Sequence, residues 1–348
     1  MTLTESEIEA WLRETDAARL EELWAEADAV RRGTVGEVVH LRGLMEISNI
    51  CARSCGYCGL RAGNRKVTRY RMKREEILRC VEQGRRYGYG TVVMQAGEDY
   101  GIERAWLAEV IRTIKHETPL AVTLSLGERP DEDLVAWGEA GADRYLLRFE
   151  TTDRELFALI HPPLAGRPPQ DRIAILRRLR ELGYESGSGV MIGIPGQSYA
   201  SLAHDIATFR ALDLDMVGVG PYIAHPDTPL GAGGSGKTVA PSEQTPNTEL
   251  MTYKVVALTR LVCPESNIPS TTALATLNQD QGRELGLQRG ANVVMPNLTP
   301  PEYRALYEIY PAKACISETA DEFHAGIKAR IEALGRVVGS GQGGRVRR

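Results

Sequence analysis

Short apolar, β-branched runs alternate along the chain with longer segments whose apolar positions recur every three to four residues. In the first 36 residues, Ile8, Leu12, Leu20 and Leu23 stand among acidic and polar neighbours at helical spacing, which predicts amphipathic helices. From Glu37 the rhythm changes. Strand-like runs occur at "EVVHLRGLMEIS", "GTVVMQ", "LAVTLSL", "DRYLLRFE", "GSGVMIG", "DMVGVGPY", "NIPSTTA" and "ANVVMP". A segment from about Lys73 to Tyr87, and others such as "IERAWLAEVIRTIKHE" and "TELMTYKVVALTRLVC", carry the helical period between them. The pattern predicts an α/β fold: a full (β/α)8 TIM-type barrel over residues 37–312, with N-terminal helices in 1–36 and a C-terminal helix with a basic tail in 313–348.

Barrels of this type carry their sites at the C-terminal ends of the strands. The polar and glycine-rich stretches follow the strands in that way: a cysteine array after the first, "QAGED" after the second, "RFET" after the fourth and "GIPGQ" after the fifth. The chain has 348 residues, 43% hydrophobic and 25% charged, with a net charge of −4, so nothing in the composition draws it to nucleic acid or an anionic membrane. No run approaches the roughly 18 apolar residues of a membrane span and the acidic N-terminus has no export pattern, so a cytoplasmic location is expected. There, cysteines stay as thiols or bind metal. Cys80 and Cys263 stand alone in helical segments and read as packing residues, while the tail "GQGGRVRR" reads as a solvated end.

Cys51, Cys55 and Cys58 form a C-x3-C-x2-C array in "ISNICARSCGYCGL". A closed zinc site would need a fourth ligand from afar, such as Cys315 or His225, because the loop from Ser48 to Lys66 holds no histidine. The other solution is a [4Fe-4S] cluster on three thiolates with one iron open to a small molecule. This array, with Tyr57 before its last cysteine and after the first barrel strand, resembles the signature of the radical S-adenosylmethionine (SAM) superfamily. The resemblance implies that SAM chelates the open iron and is cleaved reductively to methionine and a 5'-deoxyadenosyl radical. It also implies a cofactor site containing Tyr57, Gly97, Glu98, Glu150, Arg172, Met191 and Ile223, with Gly97 and Glu98 at the amino group and Arg172 at the carboxylate.

Longer strings, among them "ISNICARSCGYCGLRAGN", "TLSLGE", "AGADRYLLRFET", "GSGVMIGIPGQ" and "GANVVMPNLTPPEYRALY", resemble the HydE family of [FeFe]-hydrogenase maturases from about Glu37 to Tyr310. What this implies is a role in assembling the hydrogenase diiron subcluster. The radical would attack sulfur of a cysteine-derived, iron-bound substrate from a partner maturase, and a ferredoxin or flavodoxin would supply the electron. The substrate cavity of that family maps onto Thr123, Arg148, Thr271, Thr272, Met295, Tyr307 and Tyr310. Ala96 stands where the family often has serine. Cys315, flanked by Glu318, Asp321 and His324, is one cysteine where some members bind a second cluster with three, so no second cluster is expected. The alternatives are a relative acting on another small amino-acid substrate, of the methylornithine synthase or biotin synthase type, and a nucleotide triphosphatase. The latter rests on "GAGGSGKT", Gly231 to Thr238, which matches G-x4-G-K-[ST]. Prolines at 226, 229, 241 and 246 deny that loop its strand and helix, and it reads as an exposed insertion.

Overall fold

The computed structural model describes residues 3–164, 166, 171–234, 237–314 and 319–347. Its strands in chain order are β1 (Val38–Ser48), β2 (Thr91–Ala96), β3 (Ala121–Ser125), β4 (Arg144–Leu146), β5 (Glu185–Ser188), β6 (Met191–Ile192), β7 (Met216–Val217), β8 (Gly220–Pro221), β9 (Val293–Val294) and β10 (Val337–Val338). β1 to β5 and then β7 lie side by side in parallel. The ring closes through residues 267–269, which pair Asn267 with Met216 and Pro269 with Val293, and through β9 on β1. The barrel predicted from the pattern is therefore the one observed, although several of its strands are shorter than the apolar runs.

The shortening has local causes. "NIPSTTA" contributes only isolated pairings, because Pro269 has no N–H and Thr271 already caps the helix Thr272–Leu277. In "GSGVMIG" and "DMVGVGPY" the backbones meet at Gly189 and Gly218, so closely that a Cβ on Gly189 would overlap the Gly218 carbonyl. Beyond that crossing β6 and β8 leave the ring and pair with each other.

The N-terminal helices form as their spacing predicts. Thr4 closes a capping box on the helix Glu5–Arg13, and Asp16 caps Ala17–Val35. They pack on the helices Tyr199–Ala211 and Glu249–Val262, which buries Ile8, Leu12 and Leu23 completely, a gain of about 2 kcal/mol each. Lys254 is buried beneath them with its ammonium on the Leu12 and Glu14 carbonyls. Cys80 and Cys263 are buried free thiols.

The C-terminal tail is not the solvated end its composition suggested. β10 pairs with β1, and the following residues cross the N-terminal mouth of the barrel. There the Gly343 carbonyl accepts from Arg42 at 2.8 Å and from Asn267 at 3.2 Å. The Gln342 carbonyl accepts from Arg144 and Thr91, and Arg345 and Arg347 pair with Asp213 and Asp215. Buried arginine side chains inside the ring need acceptors, and glycine-rich tail backbone brings carbonyls close enough to serve.

One buried acid makes the fold pH-sensitive. Asp205 accepts from the Thr152 amide and hydroxyl, both at 2.6 Å, and fastens the turn after β4. Burial outweighs those bonds and raises its pKa to about 7. Because the folded-state value lies above the unfolded one, its contribution is fully present below about pH 4 and is lost as pH rises towards 7. Asp205→Asn should remove a loss of roughly 1.4 kcal/mol per pH unit across that window, read from urea unfolding at pH 5 and pH 7.

Candidate active site

The cysteine loop leaves β1 with no regular structure and is fixed by side chains reaching its backbone. Asn49 bonds the Tyr70 amide and the Thr68 and Leu306 carbonyls, while Arg69 takes the carbonyls of Asn49, Leu60, Arg61 and Asn64. Cys51, Cys55 and Cys58 are near enough to raise one another's pKa, and burial, the larger cause, lifts Cys58 to about 12. Backbone N–H groups oppose this: those of Arg53 and Glu98 face Cys51, the latter at 3.4 Å, and that of Leu60 faces Cys58. Sulfurs that are buried yet met by amides suit thiolates neutralised by iron. Among the described residues no three His, Cys, Asp or Glu converge on a single metal-ion position. His225, the recruit a zinc site would need, packs against Gly59, accepts from the Asp227 amide and approaches Glu308 at 3.9 Å. Cys315 and Glu318 lie outside the described residues.

Gly97 is needed where it stands, but against protein. A Cβ there would overlap Ile50 O and the Cys51 side chain, so the glycine lets the loop after β2 touch the cysteine loop. The Glu98 carboxylate, expected at the cofactor's amino group, is occupied by Arg53 Nε at 2.7 Å, Tyr100 at 2.8 Å and the Glu128 amide at 2.9 Å, and it stands outside the cavity lining. Arg53 also pairs with Glu128, which pairs with Arg172 at 2.8 Å. Glu98, Arg53, Glu128 and Arg172 thus form a buried chain of alternating charge across four loops. Arg172 donates further to the Arg148 carbonyl at 2.6 Å and meets His161. Burial, with Arg172 and Arg53 nearby, lowers the His161 pKa to about 2 and keeps that ring neutral.

Below this chain a cavity of about 330 Å³ descends into the barrel. Glu150 and Arg172 line its upper part, and Thr123, Arg148, Thr271, Thr272, Met295 and Tyr310 line it as well. The two threonines share the cavity because they begin a helix, whereas a regular strand would have turned one away. Glu150 has φ 63°, a left-handed conformation that favours glycine, and its Oε2 is buried with no hydrogen-bond partner. Arg148 Nε, 3.5 Å from that oxygen, and Thr123 Oγ are likewise buried without partners. One left-handed backbone, one ion pair without a hydrogen bond and one hydroxyl without a partner share this cavity wall. Ala96 lines it too.

Tyr307 is absent from the lining: it is buried in the wall, its hydroxyl accepting from Gln95 at 3.2 Å. Met191 and Ile223 also stand outside it. Met191 joins Leu156, Ile160, Ile194 and Tyr222 in a separate apolar cluster against which Tyr57 and Leu230 pack. Leu230, just before the G-x4-G-K-[ST] match, docks on the cysteine loop through a 2.9 Å bond from its amide to Gly56 O, while Ala232, Gly233, Gly234 and Thr238 are exposed as expected. Lys237 of the G-x4-G-K-[ST] match pairs with Asp153 at 2.8 Å and Glu155 at 3.1 Å, and the next helix begins only at Glu249, so no phosphate cradle forms among the described residues.

Sequence reasoning missed Arg53, Glu128, His161 and the buried pair of Lys313 with Glu46, both of which line the cavity. Glu128 had a signal, since "GE" follows β3 at the same rim as the other polar stretches.

The Radical SAM superfamily family model matches residues 45–209. The chain is 44% identical to the [FeFe] hydrogenase maturase subunit HydE of Thermotoga maritima over 94% of this chain and 89% of that one. Among solved structures it resembles methylornithine synthase (PylB), with a TM-score of 0.81, 24% identity and coverage of 97% and 95%. It also resembles HydG, a maturase of the [FeFe]-hydrogenase, with a TM-score of 0.76, 19% identity and coverage of 96% and 72%. At these identities the two structures speak for the fold.

Removing the middle of the charge chain tests its importance. Glu128→Gln leaves two buried guanidinium groups short of a carboxylate and should destabilise the protein by about 3–5 kcal/mol, measured by denaturant unfolding. It should also weaken SAM binding in calorimetry.

Proposed function

Because the chain belongs to the HydE family of [FeFe]-hydrogenase maturases within the radical SAM superfamily, we propose that its cavity binds a sulfur-containing, cysteine-derived substrate carrying iron, supplied by a partner maturase. The family implies a [4Fe-4S] cluster and SAM, which when bound supply a 5'-deoxyadenosyl radical after one-electron reduction. Cys51, Cys55 and Cys58 would hold the cluster, and the amides facing two of their sulfurs favour the thiolate form.

The observation that carries the reading is one cavity wall holding Thr123 Oγ, buried without a hydrogen-bond partner, and Arg148 Nε with Glu150 Oε2, which meet each other at 3.5 Å and make no hydrogen bond. Glu150 accepts hydrogen bonds and so suits the ribose or ammonium end of SAM. Arg172, held by Glu128, presents positive charge for its carboxylate, and Tyr57 with Met191 offers an apolar wall for the adenine. Below them Arg148, Thr123, Thr271 and Thr272 suit an anionic substrate, with Met295 and Tyr310 closing the wall. A polar cavity sealed at its lower mouth by the tail excludes water from a reactive radical. No helix among the described residues is long and apolar enough to cross a membrane. We place the protein in the cytoplasm, with one cluster and a ferredoxin- or flavodoxin-type reductant.

Anaerobic iron–sulfur reconstitution followed by reduction with SAM present should yield 5'-deoxyadenosine and a cluster spectrum altered by SAM. No deoxyadenosine and an unaltered spectrum would defeat the proposal. Cys55→Ala should abolish the product. Lys237→Ala should leave SAM cleavage within about twofold of the unaltered protein, since the lysine serves two partly exposed carboxylates.

A further inference from the structure

Beside the cysteine loop lies the stretch "RAGNRKVTRYRMKR", Arg61 to Arg74. Of the chain's 42 basic and 46 acidic residues, seven basic and no acidic ones fall within these fourteen positions. Two of them are built into the loop. Arg69 binds four of its backbone carbonyls, and Arg61 donates to the carbonyl of Cys55 at 3.1 Å and of Ser54 at 3.4 Å. Others face solvent. Lys66 and Arg71 pair with Asp227 and Asp99, while Arg65 and Lys73 are exposed with no carboxylate partner among the described residues. Ala52 and Ser54, between the cysteines, are exposed, and the start of the basic stretch meets them there, Arg61 at Ser54 O and the Ala62 amide at Arg53 O, 2.7 Å.

We propose that this basic edge is the docking surface for an acidic electron-carrier protein. The inference rests on the reading that the cysteines hold a reducible cluster, and it says where the electron enters. Electron transfer needs the carrier close to the cluster, and Ala52 and Ser54 are exposed backbone of the ligand loop itself. A chain that is acidic as a whole repels an acidic carrier everywhere except at a local basic patch, which steers the encounter to that edge. In each encounter the carrier is oxidised by one electron and the cluster reduced by one. Nucleic acid is the other partner a basic patch could take, but neither the net charge nor the position beside the cysteines favours it.

The test uses the reconstituted protein with reduced flavodoxin as the acidic probe and photoreduced 5-deazaflavin as a small reductant that needs no docking surface. For the double variant Arg65→Glu/Lys73→Glu, kcat/KM for flavodoxin-driven SAM cleavage should fall about tenfold, with the difference shrinking as salt rises, and the deazaflavin-driven rate should not change. An unchanged flavodoxin-driven rate overturns the proposal, and if the patch then binds a DNA duplex in a salt-dependent manner it belongs to nucleic acid. Should the double variant lose both rates, Arg65→Gln/Lys73→Gln is judged by the same criterion. Absence of deazaflavin-driven cleavage in the unaltered protein would strike at the cluster reading itself.

Discussion

The buried chain Glu98, Arg53, Glu128, Arg172 sets the geometry of the upper barrel, because each of its members comes from a different loop. Glu98 follows β2, Glu128 follows β3, Arg53 lies inside the cysteine array and Arg172 opens the helix Arg172–Glu181. Burying four charges is tolerable only if each is met by another at hydrogen-bonding distance, which forces the four loops into one arrangement. Since Arg53 sits between Cys51 and Cys55, the network also fixes the cysteines relative to Arg172 and the cavity below it. Its part is positioning: two carboxylates hold two guanidiniums, and one of those faces the cavity.

The two ends of the barrel solve the problem of interior polarity differently. At the lower end the guanidinium termini of Arg42 and Arg144 are met by tail carbonyls, Met216, Thr91 and Glu185, although Arg42 Nε keeps no partner, and the tail closes the mouth. In the cavity above, Thr123 Oγ keeps no hydrogen-bond partner, Arg148 and Glu150 meet as an ion pair at 3.5 Å, and the Glu150 backbone keeps a left-handed conformation.

The barrel was legible in the sequence because its signals are local: a period of two or an apolar run for strands, a period near four for helices, and polar stretches after strands. The array Cys51, Cys55, Cys58 was legible for the same reason, since all its ligands lie within eight residues. The partners of the Glu98 carboxylate, Arg53 and Glu128, were not legible because they are 45 and 30 positions away. The tail was read as solvated because its composition is polar, and nothing local shows that arginines of other strands await its carbonyls.

By itself, then, the sequence determined the order of elements, the rim to which each polar stretch is delivered, and the cysteine spacing that suits a cluster with one open iron. Only the tertiary structure decided which polar groups are spent on one another and which are left over. Pairing depends on distances between segments far apart in the chain, and sequence periodicity carries no information about those. Gly97, Glu98 and Arg53 are neighbours of the cysteines in space as much as in pattern, yet the groups that face the cavity are Thr123, Arg148 and Glu150, and that selection required the whole barrel to close.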